Sequence, residues 1–309
     1  MIGFLGEALV DLIAEESHDG NLVYFQHIGG CALNAAVAAA RLNLEVLFIG
    51  RISKDYFGKQ IENHFRKNGV TLDEALLNCD ENSSLAFAFL DKDKNATYNF
   101  YTEKTSIEAI KAKQIIESLN SFNNIDYLHI GSLSLALEAS GKEILKALKT
   151  LKQRPFILFD PNVRMSAIKE KESYLRRVSE AMKLSDLVKL SDEDLSSLYP
   201  SLKTEEAIEH IFSKGVKNVV LTKGKKGMSW FSSDNLRVDV DAKEVVVVDT
   251  VAGGDTVSAA LLFFLDKHRI AHNQMLKEHQ IKQALEFASK AASITVSRRG
   301  ADPPYYHEL

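Results

Sequence analysis

The 309-residue sequence lacks the features that would place it in or on a membrane. None of its apolar runs approaches the ~20 residues that a transmembrane helix needs. Its first seven residues, MIGFLGE, contain no basic residue and no glycine at the second position, so a signal peptide and N-myristoylation are not indicated. We therefore expect a cytoplasmic protein with no membrane partner.

Cysteine is almost absent. The two cysteines, Cys31 and Cys79, are far apart in the sequence and form no metal-type cluster. So low a number fits a reducing compartment. We interpret both as packing residues.

Neither sign of charge is in large excess. The 38 Lys and Arg residues against 42 Asp and Glu residues give a net charge of −4, too little positive field to attract nucleic acid. The GxGxxG fingerprint is missing after the first apolar segment, and GxxxxGK[ST] is missing altogether. These absences argue against a dinucleotide-dependent dehydrogenase and a P-loop NTPase, and we expect small-molecule partners.

Strand-like and helix-like segments alternate along the chain. Apolar residues 45–50, 156–159 and 219–222 predict strands, and the alanine-rich stretches 32–42 and 281–297 predict helices. This alternation is typical of a parallel sheet with helices on both faces, in which ligands bind beyond the carboxyl ends of the strands. With 45% hydrophobic residues, the chain can bury the core of one large α/β domain or two smaller ones.

The strongest local pattern lies between residues 245 and 265. Four consecutive valines, 245–248, predict a short buried strand. Apolar residues at helical spacing over 257–264 predict a helix that begins near Asp255. The small residues 252–254 lie between them and allow a sharp turn, whose unpaired N–H groups at the helix start form an anion site.

Asp255 has two interpretations. One is an N-cap of the helix, because Asp is among the preferred capping residues. The other is a general base, which accepts a hydroxyl proton while the neighbouring N–H groups stabilise negative charge on a phosphoryl group. The motifs described next favour the general base.

Residues 249–255, DTVAGGD, resemble the DTxGAGD motif of the ribokinase or phosphofructokinase-B family of carbohydrate kinases. Ala252 replaces the usual glycine and would be strained if that position needs a positive φ, and Gly253 replaces the usual alanine. The resemblance runs in consistent order from Gly6 to Pro304. It implies a ribokinase-like, three-layer Rossmann-type α/β fold, with a parallel sheet, helices on both faces and a small β-sheet lid. It also implies one domain over residues 1–309, with the lid inserted at about 12–28 and 84–103.

Several further motifs supply the sugar ligands that the resemblance implies. The N-terminal pattern matches at Gly6-Glu7 with Asp11 and at Gly29-Gly30 with Asn34, and DPNVR at 160–164 matches the family's DxNxR. A predicted hairpin, 84–90 and 96–101, ends in FYT where the fructokinase branch tends to have FYR. Carboxylates and amides take paired hydrogen bonds from vicinal hydroxyls, and Arg suits an anionic group. The implied sugar ligands are Asp11, Gly29, Gly30, Asn34, Tyr101, Asn162, Arg164 and Asp255.

Taken singly, these residues also have ordinary structural interpretations. Asp11 alone reads as a solvent-facing carboxylate, Asn34 as a helix residue, and segment 160–164 as a turn made by its Pro and Asn.

Other matched positions are implied to contact nucleotide and ions. Segment 191–194 resembles the NxxE turn, with Ser191 and Asp194 in place of Asn and Glu, although an acidic helix start explains it equally well. Segment 222–227 resembles TxGxxG, and RRGADPP at 298–304 resembles the family's closing segment. The implied nucleotide-binding residues are Lys189, Ser191, Asp194, Thr222, Gly224, Gly227, Gly254 and Ser289. Mg²⁺ is implied with ATP, and a monovalent cation, K⁺, near Asp249 and Val251.

The sequence thus predicts an ATP-dependent sugar kinase. Asp255, with an ordinary pKa of ~3.9, deprotonates the acceptor hydroxyl, and the N–H groups of Ala252, Gly253 and Gly254 stabilise charge on the transferred phosphoryl. The pattern is most similar to fructokinases, with 2-keto-3-deoxygluconate and ribose or nucleoside kinases as alternatives. A sugar-binding sensor derived from a kinase is the non-enzyme alternative, and a homodimer through the lid is expected.

Overall fold

The computed structural model describes residues 1–16, 19–90, 96–122, 125–272, 274 and 276–309. In these ranges the chain forms thirteen strands. They are β1 (Ile2–Leu5), β2 (Leu9–Glu16), β3 (Leu22–Gly29), β4 (Val46–Ile49), β5 (Thr71–Leu72), β6 (Leu85–Leu90), β7 (Ala96–Tyr101), β8 (Tyr127–Gly131), β9 (Phe156–Asp160), β10 (Leu187–Ser191), β11 (Asn218–Thr222), β12 (Met228–Ser232) and β13 (Arg237–Val240).

Ten α-helices accompany the strands over the same residues. They are α1 (Cys31–Arg41), α2 (Tyr56–Lys67), α3 (Ala112–Ser121), α4 (Ser132–Ala136), α5 (Glu138–Thr150), α6 (Lys171–Lys183), α7 (Asp192–Leu198), α8 (Thr204–Phe212), α9 (Gly253–Lys267) and α10 (Glu278–Val296). Among the described helices, none is both long enough and apolar enough to span a bilayer.

The large sheet has nine strands in the order β13-β12-β11-β10-β9-β8-β1-β4-β5. Its strands from β5 to β11 are parallel, and β12 and β13 add an antiparallel edge. The predicted strands at 45–50, 156–159 and 219–222 are confirmed as β4, β9 and β11, and all three lie inside this sheet.

Alternate residues of the buried strands point to two separate cores. Phe4 and Leu158 pack with residues of α1, α9 and α10 on one face, whereas Leu5 and Phe159 pack with residues of α3 to α8 on the other. A strand covered on both faces reads as a continuous apolar run. The three-layer arrangement that the resemblance implied is therefore confirmed.

A separate four-stranded sheet, in the order β3-β2-β6-β7, arises from the insertions that follow β1 and precede β8. The predicted hairpin is confirmed, because β6 and β7 pair antiparallel from Leu85↔Tyr101 to Leu90↔Ala96. The turn expected at 91–95 lies outside the described residues. Asp11 lies on β2 of this small sheet, and not on the first strand of the large one.

The prediction of a buried strand at 245–248 is wrong. These four valines belong to no strand and are 40%, 83%, 56% and 59% exposed. They follow the edge strand β13, beyond which the described sheet does not continue. Among the described residues, the one backbone hydrogen bond from these valines to another segment is from Val248 N to Val296 O, at 2.8 Å. β-branched residues favour an extended backbone whether or not a neighbouring strand is present to pair with it.

Candidate active site

Several of the predicted functional residues lie at the carboxyl ends of the parallel strands, around the first turn of α9. Ala252 is the N-cap of this helix and has a left-handed backbone, with φ 58° and ψ 4°. Gly253, Gly254 and Asp255 form the first turn. The N-cap interpretation of Asp255 is therefore wrong, because the helix begins two residues before it and Asp255 is its third residue.

Asp255 is 7% exposed and contacts the N-terminal part of the chain. Asn34 Nδ2, from the first turn of α1, donates to Asp255 Oδ2 at 2.9 Å. Burial raises the pKa of Asp255 to about 6; the charge of Asp160 adds to the rise, and the hydrogen bond from Asn34 opposes it. The carboxylate is thus a stronger base than the ordinary aspartate expected from sequence.

Asp11 faces the same cleft from the small sheet. A Cβ atom at position 29 would lie 2.3 Å from Asp11 Oδ2, so the Asp11 carboxylate lies directly against the backbone of Gly29. Burial raises the pKa of Asp11 to about 6, the positive charge of Arg164 opposes the rise, and the charge of Asp255 adds to it. Two carboxyl groups and one guanidinium therefore act on each other across one cleft.

The strand register does not bring Tyr101 to this cleft. Asp11 is aligned with Ala86, and Ala86 with Phe100, so these side chains share one face of the small sheet. Tyr101 points to the opposite face, where its ring meets that of Phe87 at 5.3 Å. Tyr98 lies on the Asp11 face and stacks on Phe100, with ring centroids 5.8 Å apart. Tyr98 was missed because alternation along one strand does not tell which face meets the ligand.

The DPNVR segment begins at the last residue of β9 and contacts the first turn of α7 at the edge of the cleft. Asn162 has an unusual backbone, with φ 36°, and its side chain lies close enough to the Cys31 thiol to oppose the rise in the thiol's pKa. Arg164 is exposed and donates to the neighbouring carbonyl of Val163 at 3.2 Å. The segment is thus a turn, as one interpretation held, and it also brings Asn162 close to Cys31 and the charge of Arg164 within reach of Asp11.

A buried ion pair lies under the first turn of α9. Lys189 Nζ is 2.8 Å from Asp160 Oδ2, with side chains 5% and 0% exposed, and Ser258 Oγ donates to the same oxygen at 3.0 Å. Burial alone would lower the pKa of Lys189, but the charge and hydrogen bond of Asp160 outweigh it and raise the pKa. A Cβ atom on Gly254 would lie 2.9 Å from Lys189 Nζ, so the ammonium is next to the helix start.

A cavity of about 480 Å³ opens on the other side of this helix start. Its size falls within the range of small-molecule sites. It is largely apolar, and Val245 and Val247 of the valine run form part of its wall. Five of the predicted nucleotide-binding residues line it, namely Thr222, Gly224, Gly227, Gly254 and Ser289.

Ser191 and Asp194 instead form the capping box of α7. Ser191 Oγ accepts from Asp194 N at 3.0 Å, and Asp194 Oδ2 accepts from Ser191 N at 2.9 Å. Asp194 Oδ1 accepts from Val163 N at 2.7 Å and so fixes the DPNVR turn. The structural interpretation of this segment as an acidic helix start thus holds. It does not exclude contact with ions, since each oxygen keeps a second lone pair.

Asp249 connects the two loops at the outer end of the cavity. Its Oδ1 accepts from Val251 N at 3.0 Å, and its Oδ2 accepts from Gly300 N at 2.9 Å. The carboxylate therefore ties the approach to α9 to the closing segment of the chain.

Comparison with known proteins agrees with this geometry. A model described as "pfkB family carbohydrate kinase" matches residues 1–307. The chain belongs to the pfkB family. It is 31% identical to a fructokinase of Rhizobium leguminosarum bv. trifolii over 262 residues, which cover 85% of this chain and 78% of that protein. It is 27% identical to a fructokinase of Vibrio alginolyticus over 297 residues, covering 96% and 92%.

A solved structure gives the same result. The fructokinase of Vibrio cholerae O395, in its fructose, ADP and calcium ion bound form, superposes with a TM-score of 0.84 at 27% identity, covering 97% of this chain and 94% of that one. The predicted ribokinase-like fold and carbohydrate kinase activity, a phosphotransferase acting on a sugar hydroxyl, are confirmed.

Glu7 belongs to the matched N-terminal pattern but was not among the predicted site residues of this kinase. It is 1% exposed, and its Oε1 accepts from Cys31 N at 3.1 Å. Its Oε2 accepts from Ser134 N at 3.1 Å and Ser134 Oγ at 2.5 Å. One carboxylate thus joins the starts of α1 and α4, where helix N–H groups favour negative charge. An acidic residue within an otherwise apolar segment was the available signal.

Proposed function

We propose that the chain is an ATP-dependent fructokinase in which Asp255 is the general base. The observation that carries this proposal is the position of Asp255 between two compartments. Polar side chains suited to hydroxyl groups, including Asn34 and Asp11, are on one side. A largely apolar cavity suited to a nucleoside is on the other.

The proton transfer follows from the environment of Asp255. The acceptor hydroxyl donates to the free Asp255 oxygen, and Asn34 holds the other oxygen at 2.9 Å. As the oxygen attacks the γ-phosphoryl, its proton passes to the carboxylate. The pKa of about 6 keeps Asp255 ionised at neutral pH, yet close enough to accept a proton late in the transfer.

The phosphoryl group is bound by the start of α9 in this proposal. Helix N–H groups at Ala252 to Gly254 provide donors and the positive end of the dipole. Gly253 N has only a long bond, 3.3 Å, to Thr250 O and can turn to the phosphate. The Lys189 ammonium beside Gly254 adds a full positive charge.

Mg²⁺ and K⁺ are proposed with the nucleotide. Asp194 and Ser191 would hold the waters of Mg²⁺, which neutralises phosphate charge when bound, because their oxygens lie between the DPNVR turn and β10. Asp249 and the Val251 carbonyl would hold K⁺, because Asp249 ties together the two loops that close the cavity. Hard cations take oxygen ligands of these kinds.

We propose that the small sheet is a lid over the sugar and the dimer surface of a single 1–309 domain. The face opposite Asp11 carries exposed Tyr24, Phe89 and Tyr101 around Phe87, an aromatic group that water would otherwise cover. Tyr24→Lys would give monomers in light scattering, whereas Tyr56→Lys, at an exposed tyrosine on α2, would not. A monomeric wild type would exclude the dimer.

The proposed compartment is the cytoplasm. Cys31 and Cys79 are both free and buried thiols, which suits a reducing compartment where ATP is plentiful. Localisation of the tagged chain tests this proposal.

The acceptor is tested by ADP production with ATP, Mg²⁺ and K⁺. The panel contains fructose, tagatose, ribose, 2-keto-3-deoxygluconate, adenosine and inosine. We expect the highest kcat/KM with fructose. A higher value with 2-keto-3-deoxygluconate would assign Arg164 to a substrate carboxylate instead, and ATP binding without turnover on any acceptor would favour the sensor.

A further inference from the structure

Three side chains that can bind a metal converge directly behind Asp255. Cys31 begins α1, His129 lies on β8, and Asp160 ends β9. One ligand atom from each, a sulfur, a ring nitrogen and a carboxylate oxygen, lies within 4.8 Å of the other two. They are 5%, 0% and 0% exposed. The parallel pairing of β8 with β9 brings the last two together from distant parts of the sequence.

Two of these side chains have polar atoms without a partner. Three buried atoms make no hydrogen bond among the described residues: the two ring nitrogens of His129 and Oδ1 of Asp160. Leaving such an atom unpaired costs about 1–3 kcal/mol. Buried unpaired polar atoms in native proteins call for a bound water or ion.

The surrounding charge favours a cation. The carboxylates of Asp255, Asp160 and Glu7 all act on the Cys31 thiol. The nearby positive charge of Lys189 is compensated by Asp160 Oδ2 at 2.8 Å, which leaves Oδ1 for another partner.

We propose that Cys31, His129 and Asp160 form a site for a thiophilic divalent cation, with Zn²⁺ as the best match. Sulfur, imidazole and carboxylate are the three ligand types that Zn²⁺ takes, and three protein ligands leave a fourth position for water. When the ion binds, the Sγ–H bond of Cys31 breaks, a metal–sulfur bond forms and the proton goes to solvent. His129 binds as the neutral imidazole, and no electron is transferred.

The site extends the chemistry of this kinase beyond the proposed reaction. The charge of Asp255 acts on the Cys31 thiol, so an ion on the sulfur places positive charge beside the general base. The ion would therefore act as an inhibitor of sugar phosphorylation. Its binding does not depend on the identity of the acceptor, so failure of the fructokinase assignment would leave this proposal intact.

The test is a Co²⁺ titration of the full chain after removal of metal by a chelator. Cobalt bound to a thiolate gives a charge-transfer absorption band in the near ultraviolet. We expect one equivalent of Co²⁺ with this band in the wild type and in Cys79→Ala, which removes the other cysteine. Cys31→Ala, on a helix already rich in alanine, should lose the band. It should also weaken Co²⁺ binding by more than about 100-fold, since loss of an outer-shell partner alone costs about 10–100-fold.

His129→Gln tests the second ligand, and Zn²⁺ should displace Co²⁺ from the wild type. If His129→Gln fails to fold, the thermal midpoint supplies the answer: Zn²⁺ should raise it in the wild type and in Cys79→Ala, but not in Cys31→Ala. Retention of the band in Cys31→Ala, or no stoichiometric binding by the wild type, would overturn the site and leave a buried water as the partner of His129.

Discussion

Asn34 and Asp255 are 221 positions apart in sequence, yet Nδ2 of the first donates to Oδ2 of the second at 2.9 Å. Both lie in the first turns of helices, α1 and α9, that pack together on one face of the large sheet. One oxygen of Asp255, the proposed base, is therefore held by Asn34, and the other is left for the proposed acceptor hydroxyl. This contact joins the N-terminal motif that contains Asn34 to the DTVAGGD motif that contains Asp255.

Replacing Asp255 by Asn should lower kcat by about 10²–10⁴-fold, the range for loss of a general base. Sugar binding should change little, because the amide keeps the size and the contact to Asn34. Steady-state ADP production and calorimetric sugar binding measure the two effects separately.

Asp266→Asn is the matched control, since it makes the same change three turns further along α9, outside the cleft. Wild-type turnover is expected for it. A fully active Asp255→Asn enzyme would exclude Asp255 as the base.

Activity should fall on the acid side with an apparent pKa of about 6. Burial raises the pKa of both Asp255 and Asp11 to about 6, and each is neutral below that value, so neither can act as a charged acceptor there. At saturating Mg-ATP, log kcat/KM should be constant above this pKa. Below this pKa it should fall with a slope that approaches about 2.

Asp11→Asn should reduce that limiting slope to about 1, because one titrating group is gone. Asn34→Ala should move the apparent pKa upward, because Asn34 donates to the charged form of Asp255 and its loss favours the neutral form. An acid limb that stays unchanged in Asn34→Ala would contradict the assignment of the limb to Asp255.

Much of the fold was predictable because its strands are buried on both faces. Segments such as 156–159 give an uninterrupted apolar run whose length and boundaries mark a strand. The order of motifs along the chain then predicted that Asp11, Asn34 and Asp255 meet. Asp255 and Asn34 do meet, and Asp11 lies close enough for their charges to interact.

The features that escaped prediction depend on contacts between distant segments. The valines at 245–248 have the composition of a strand but, among the described residues, no strand to pair with, and two of them line the cavity beside the start of α9 instead. Whether Tyr98 or Tyr101 shares the sheet face of Asp11 is decided by the register of β7 against β6. The raised pKa of Asp255 follows from burial and from Asp160, 95 positions before it in the sequence.

Lys189→Met should destabilise the protein by about 3–5 kcal/mol, because it leaves the Asp160 carboxylate buried without its cation. Urea unfolding measures the change. In the double variant Lys189→Met/Asp160→Asn the charge is also removed, and part of the lost stability should return.

The ion pair Lys54–Asp80 supplies the control, because its side chains are 61% and 89% exposed. Lys54→Met should leave the unfolding midpoint nearly unchanged, since water solvates Asp80 in its absence. Equal effects of the two Lys→Met changes would show that burial of the Lys189–Asp160 pair has no energetic consequence.

Ala252→Gly should stabilise the protein. Alanine at φ 58° brings its Cβ too close to the following carbonyl oxygen, which costs about 1–2 kcal/mol. Glycine removes this strain but loses more backbone entropy on folding, about 0.5–1 kcal/mol. The balance predicts a gain of up to about 1.5 kcal/mol, or up to about 3 °C in the thermal midpoint. Asn235→Gly is the comparison, because Asn235 has a similar φ of 68° but asparagine tolerates that region, so its gain should be smaller. Ala252→Gly could instead change the stability less favourably than Asn235→Gly does, each measured against the wild type. In that case the left-handed backbone at the start of α9 is not a source of strain, and the alanine stabilises the anion-binding turn.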